Sequence, residues 1–237
     1  MALFFFAIFV SMTIDEIYKY VKFLANKENR GWLKPSEFNM LAKRVQLDII
    51  KDRVGRMSPD GATNGYRENS QFYDELRTII TQNANMGGGA DSNGNGEYTF
   101  PSDYLYFLAL TFNNRDVEIL NHGGLMKRLS SHLNPPSAEY PVGIIYSGGV
   151  RVYIAPDSSA AIGDVNITYV SEPNTPNWAF TVINNIEIYN SSGSTDFELP
   201  ESTHKEIIHR IVAYLGVQLR EANMIEYGTS TVMEQNS

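Results

Sequence analysis

The chain has 237 residues, a formal net charge of -8, 43% hydrophobic and 19% charged residues, the make-up of one or two globular domains with a sizeable core. The acidity argues against wrapping nucleic acid, which needs clustered Lys and Arg, and does not exclude an acidic surface past which DNA slides without sticking. With no cysteine, disulfides and thiolate chemistry are excluded and folding in a reducing cytoplasm fits, while 14 Tyr and 12 Phe supply half-buried rings for strands or interfaces.

Residues 1–10 hold no charged side chain. The run is too short to span a bilayer and lacks the basic leader of a secretory signal, so no membrane insertion is expected. Two readings stay open for residues 1–11: a misassigned translation start ahead of Met12, or an apolar arm led by Phe4, Phe5 and Phe6 that packs on a neighbouring subunit. Thr13 and Glu16 form a capping box, and Ile14, Ile17, Val21 and Leu24 then recur at helical spacing to about residue 28. A second helix opens at Pro35-Ser36-Glu37, turns Phe38, Leu41, Val45, Ile49 and Val54 inward, and stops at Gly55. A shorter helix is predicted over about 70–81. Residues 87–96 are mostly Gly, Asn and Asp, which predicts a mobile loop.

Beyond that loop the pattern shifts to strands. Residues 98–100 read as a short strand, while the apolar run 104–112 fits a helix or a strand equally by periodicity. A strand over 117–120, a helix over 124–133 and strands over 142–147, 150–155, 165–170 and 180–189 follow, with Gly148-Gly149 as a hairpin turn. The last helix is predicted over 201–223, with Pro200 suiting its first turn. Its stripe of Ile207, Ile208, Ile211, Val212, Leu215, Leu219 and Ala222 faces inward, and Lys205, Arg210, Gln218 and Arg220 face out. Ile207, Ile211 and Leu215 form the expected core seam. The order predicts an α+β chain: a bundle of the N-terminal helices (12–97, with the glycine-rich loop) and the C-terminal helix (197–223), a β-rich middle (98–196) and an extended tail (224–237). The tail alternates weakly, and Tyr227 and Val232 are candidates to dock it as an added strand on a neighbouring ring; a disordered terminus is the alternative.

Chemistry is sparse in this sequence. His204 and His209 stand five residues apart, which turns them away from each other on a helix, so both read as surface or capping histidines like His122 and His132. Asp91, Asn93 and Asn95 match the first half of a calcium-binding EF-hand loop, but the twelfth position is Ser102 instead of Glu, and a flexible loop explains them as well. Paired carboxylates such as Asp15 with Glu16, or Asp74 with Glu75, sit at helix starts rather than across a pocket. No nucleophile has a base beside it and no phosphate-cradling or dinucleotide fingerprint is present, so no enzyme activity, cofactor or resident metal is expected.

Several phrases, taken in order, resemble a family of neck or ring proteins of tailed bacteriophages, those of the crAss-like group. They are Leu33-Lys34-Pro35-Ser36-Glu37-Phe38-Asn39, Tyr98-Thr99-Phe100-Pro101-Ser102-Asp103-Tyr104-Leu105, Pro135-Pro136-Ser137-Ala138-Glu139-Tyr140-Pro141, Ile167-Thr168-Tyr169-Val170 with Pro173-Asn174-Thr175-Pro176-Asn177-Trp178, and Phe197-Glu198-Leu199-Pro200-Glu201-Ser202. The apolar segment before Met12 lies outside the pattern. The resemblance implies a non-enzymatic virion protein assembled in the host cytoplasm. It also implies a homo-oligomeric ring, a dodecamer, on the portal or an adjacent ring or tail protein, with DNA passing through its channel without specific binding. A runner-up of another class is a carbohydrate- or receptor-binding β module of a virion, with Trp178 as an aromatic platform among the asparagine-rich loops of 174–178 and 184–194.

Overall fold

The computed structural model describes residues 12–26, 33–56, 66–90, 96–155, 164–184 and 186–219. It is a mixed α+β protein. Helix α1, Ile14–Asn26, begins in the predicted capping box: Glu16 Oε2 accepts from the Thr13 N–H at 2.9 Å, and Thr13 Oγ1 accepts from the Glu16 N–H at 3.3 Å. Helix α2, Pro35–Arg56, starts on its proline as expected, and helix α3 spans Tyr66–Leu76.

The predicted continuation of α3 to residue 81 does not occur. Ile79, Ile80 and Thr81 are β-branched, lose rotamer freedom in a helix, and feed strand β1, Ile80–Asn85. The predicted mobile loop is partly a strand as well. Strand β2, Gly88–Ala90, pairs with β3, Gly96–Thr99, and a Cβ on Gly88 would stand 2.3 Å from the Glu97 carbonyl oxygen, so the glycine serves close approach.

The run left open by periodicity is strand β4, Tyr104–Phe112. It turns through Asn113 and Asn114, at φ 46° and 62°, into β5, Arg115–Asp116, the paired left-handed residues that a tight hairpin wants. Strand β6, Glu118–Ile119, is followed by α4, His122–Leu129, which starts before the predicted helix because Asn121 Oδ1 accepts from the Gly124 N–H at 2.7 Å. Strands β7, Val142–Tyr146, and β8, Gly149–Tyr153, form a hairpin whose turn lies at Ser147-Gly148, one residue before the predicted pair. A Cβ on Gly149 would stand 1.9 Å from the Tyr98 carbonyl oxygen, which is why that glycine belongs in β8.

Strand β9 spans Val165–Ser171. The single strand predicted over 180–189 is a hairpin of β10, Phe180–Ile183, and β11, Ile186–Tyr189, broken at Asn184, whose φ of 50° favours asparagine. A short 3-10 turn, Glu201–Thr203, precedes helix α5, His204–Leu219, so the regular helix starts three residues later than predicted. Among the described residues no helix is long and apolar enough to cross a membrane.

The chain divides into two compact units. One joins Met1–Thr78 to Pro173–Ser237, and the other is Ile79–Glu172. The β-rich unit therefore begins and ends earlier than the sequence suggests, since β1 and β2 belong to it and residues 173–196 do not. It holds a four-stranded sheet of order β1-β9-β4-β5 and a five-stranded sheet of order β2-β3-β8-β7-β6, in which only β6 and β7 run parallel. Tyr98, Val150 and Val152 of the second sheet share one core with Leu110, Phe112, Val165, Ile167 and Tyr169 of the first, so the two sheets pack face to face.

In the other unit α5 packs on α1 and α2, and α3 packs on α2. Ile14, Ile17 and Val21 of α1, Phe38, Val45 and Ile49 of α2, and the seam residues Ile207, Ile211 and Leu215 of α5 are all buried. Each such side chain stabilises the fold by about 1.5–3 kcal/mol relative to exposure. One outward expectation fails here: Arg210 is largely covered. On α2, Val54, expected inward, is half-buried and its neighbour Arg53 is buried.

Candidate functional site

Charged side chains pin the helices to one another. Arg53 on α2 donates to Glu75 on α3 and, from Nη2, to Glu206 Oε2 on α5 at 2.6 Å. The other Glu206 oxygen accepts from Arg210 Nε at 2.9 Å and Nη2 at 2.7 Å, and Arg210 Nη2 also reaches Asp52 Oδ2 at 2.5 Å. Tyr214 OH donates to Asp48 Oδ2 at 2.7 Å, so burial and that carboxylate raise its pKa. Each ion finds an opposite charge, which is what keeps ionised groups tolerable in a dry setting.

His122 and His132 are exposed, as expected, whereas the other two histidines are not. His204 and His209 are buried, and burial lowers the pKa of both, with Lys205 adding to the effect at His209. His204 Nε2 lies 3.2 Å from the Leu199 carbonyl oxygen, tying the segment ahead of α5 to its first turn. A cleft of about 460 Å³ is lined by Met12, Tyr20, Glu201, His204, Lys205, Ile208 and His209. This lining holds no Ser, Thr or Cys, and its one hydroxyl is the Tyr20 phenol.

A polar clasp organises residues 173–198. Asn39 on α2 donates from Nδ2 to Asn177 Oδ1 at 2.8 Å and to the Trp178 carbonyl at 3.2 Å, and its Oδ1 accepts from the Trp178 N–H at 2.8 Å. Gln46 donates to the Asn174 carbonyl at 2.9 Å, and Asn174 N–H donates to Glu198 Oε2 at 2.7 Å. Asp196 Oδ1 accepts from the Ile14 N–H at 2.7 Å, satisfying a free donor at the start of α1. Trp178 Nε1 donates to Asp15 Oδ1 at 3.0 Å, and its ring lies 4.3 Å from that of Tyr18. Burial, then the nearby Glu187 carboxylate, push the Tyr18 phenol up to about 12.

Trp178 is only 4% exposed, so it cannot serve as the open aromatic platform that glycan binding needs. It anchors the β10–β11 hairpin instead, stacking on Phe180 at 5.9 Å and Tyr189 at 5.6 Å. The hairpin projects apolar side chains into solvent: Val182 is 60% exposed, Ile183 53%, Ile186 64% and Ile188 45%. Register places Thr181 opposite Ile188 and Ile183 opposite Ile186, so these four share the face turned away from Trp178. Such a patch of large aliphatic groups is the mark of a surface meant to be covered.

Of the residues singled out from sequence, Phe4, Phe5, Phe6, Tyr227 and Val232 lie outside the described residues, as do Asp91, Asn93 and Asn95 of the calcium candidate, the outward position Arg220 and the inward position Ala222. Glu97, next to that candidate, is paired with Arg151, whose Nε donates to Glu97 Oε1 at 3.0 Å. Among the described residues no group of three or more His, Asp or Glu is placed to hold a metal ion. Sequence reasoning overlooked Asn39, Gln46 and Asp196, although Asn39, Asn174 and Asn177 stand inside the quoted phrases. No protein-family model and no curated protein matches the chain.

Proposed function

We propose that this chain is a non-enzymatic virion protein of a tailed phage, a ring component of the neck that connects the portal to the tail around the DNA channel. The observation that carries the reading is where the family-like phrases fall in the fold. Leu33–Asn39 opens α2 and supplies Asn39 to the clasp, 173–178 supplies its Asn174, Asn177 and Trp178, and 197–202 supplies Glu198 and leads into α5. Three of the quoted phrases, far apart in sequence, thus hold one another by hydrogen bonds, while 98–105, 135–141 and 167–170 lie in the β-rich unit.

In this reading α1, α2 and α5 form a bundle with the β-rich unit inserted between α3 and the clasp, and copies of the chain close into a dodecamer. The exposed hairpin suits a side surface that a neighbour covers, and the acidic balance suits a channel that does not retain DNA. Mixing the purified chain with the portal protein of the same phage tests it. Rings seated on the portal in electron micrographs are expected; a chain that stays monomeric and unbound beside intact portals would overturn the reading. The receptor-binding alternative has lost its open platform to the burial of Trp178.

A further inference from the structure

We infer that the β10–β11 hairpin is a docking site for the C-terminal tail of a second copy of this chain, residues 224–234, added as a third strand. A second copy as donor rests on the ring reading above. Among the described residues the hairpin is a sheet of two strands and nothing else. A pair of strands alone is marginal in water, and a strand edge with no neighbouring strand templates another. Its open face carries Thr181, Ile183, Ile186 and Ile188, the three isoleucines about half exposed. A strand added at either edge extends that face and needs side chains to match it.

The tail has them in the right period. In an extended chain Ile225, Tyr227, Thr229, Thr231 and Met233 fall on one side, and Glu226, Gly228, Ser230, Val232 and Glu234 on the other. The first set is apolar or β-branched and continues the isoleucine face, and the second keeps carboxylates in water. The apolar arm, residues 1–10, fits less well. It has no polar position to leave in solvent, so a strand made from it would bury one face and expose the other at a cost. The one charged side chain on the two hairpin strands is Glu187, on the face of Val182, the side that Glu226 and Glu234 would share.

The absence of native cysteine makes the test direct. Full-length chains bearing Ile186→Cys or Ile183→Cys on the hairpin are mixed with full-length chains bearing Thr229→Cys in the tail, then oxidised across a concentration series. Tail-to-hairpin disulfide dimers are expected, because a paired strand brings Cα atoms within the narrow reach of a disulfide. Ile188→Asp in the hairpin chain should lower their yield by about tenfold or more with an unchanged circular dichroism spectrum. No interchain product at any concentration overturns the inference. So does hairpin-to-hairpin product alone, product with Phe5→Cys in place of the tail, or a disulfide that forms only within a doubly substituted chain. The readout uses purified protein without a phage particle. A chain that crosslinks but fails to bind a portal keeps the docking and loses the connector reading, and the converse removes the docking alone.

Discussion

The buried polar and charged side chains among the described residues, Gln46, Arg53, Thr203, His204, Glu206 and His209, all belong to the helical unit, whereas the core shared by the two sheets is Val, Ile, Leu, Phe, Met and Tyr. The difference follows from how each kind of element is held. Strands are fixed to their neighbours by a backbone ladder, and a one-residue slip would turn every core side chain outward. Helices satisfy their backbones internally, so two of them can slide or rotate with little loss of apolar contact. In this chain Arg53, Glu206, Arg210 and Asn39 supply the fixed points that a ladder supplies in the sheets.

The largest test of that contrast is Ile211→Asp. It places an unpaired carboxylate in the seam between α5 and its partners, and a loss above about 4 kcal/mol is expected, with helical circular dichroism lost at room temperature. A folded variant that merely fails to assemble would show the stripe to be an interface. Next comes Glu206→Ala, which removes the carboxylate shared by Arg53 and Arg210 and leaves Arg210 its contact with Asp52; about 3–5 kcal/mol should disappear from the urea unfolding free energy. If the loss is below about 1 kcal/mol, the network is ornament and the helices are placed by packing alone.

Asn39→Ala removes three hydrogen bonds at once and leaves the Trp178 amide without its acceptor, for an expected cost of about 1–3 kcal/mol. The smallest effect is one of pH. Burial holds His204 and His209 below the ordinary value of 6.5, against the opposing pull of Glu201, Asp196 and Glu206. The unfolded chain then binds more protons, so stability is full above about pH 6.5 and falls as the pH drops through the lowered folded values. His204→Gln should flatten part of that slope in melts recorded from pH 7 to 5; an unchanged slope would show that this histidine binds protons equally in the folded and unfolded chain.

Much of this architecture can be read from residue order. Thr13 with Glu16, Pro35, and the α5 stripe announce helices because caps and apolar spacing are local signals, and β7 to β9 follow from β-branched runs between turns. The local signal misleads where one residue type has two uses. The glycines of 87–89 read as flexibility, yet Gly88 lets two strands approach; Asn184 reads as one more polar residue, yet its left-handed φ splits a strand into a hairpin. The pairing of Arg53 with Glu206 is not legible, because nothing in the sequence says that each has a buried partner 153 positions away. The exposed face of β10 and β11 was hidden for the same reason: exposure is a property of the whole unit, and alternation alone cannot say which side is left uncovered.

Reconstruction of the virion by electron cryomicroscopy tests the central reading most directly. The expected result is density fitting this fold as a closed ring on the particle axis, between portal and tail, with α5 packed on α1 and α2 in each copy. Density for the chain on a receptor-binding fibre, or a purified virion that lacks the chain altogether, would contradict it.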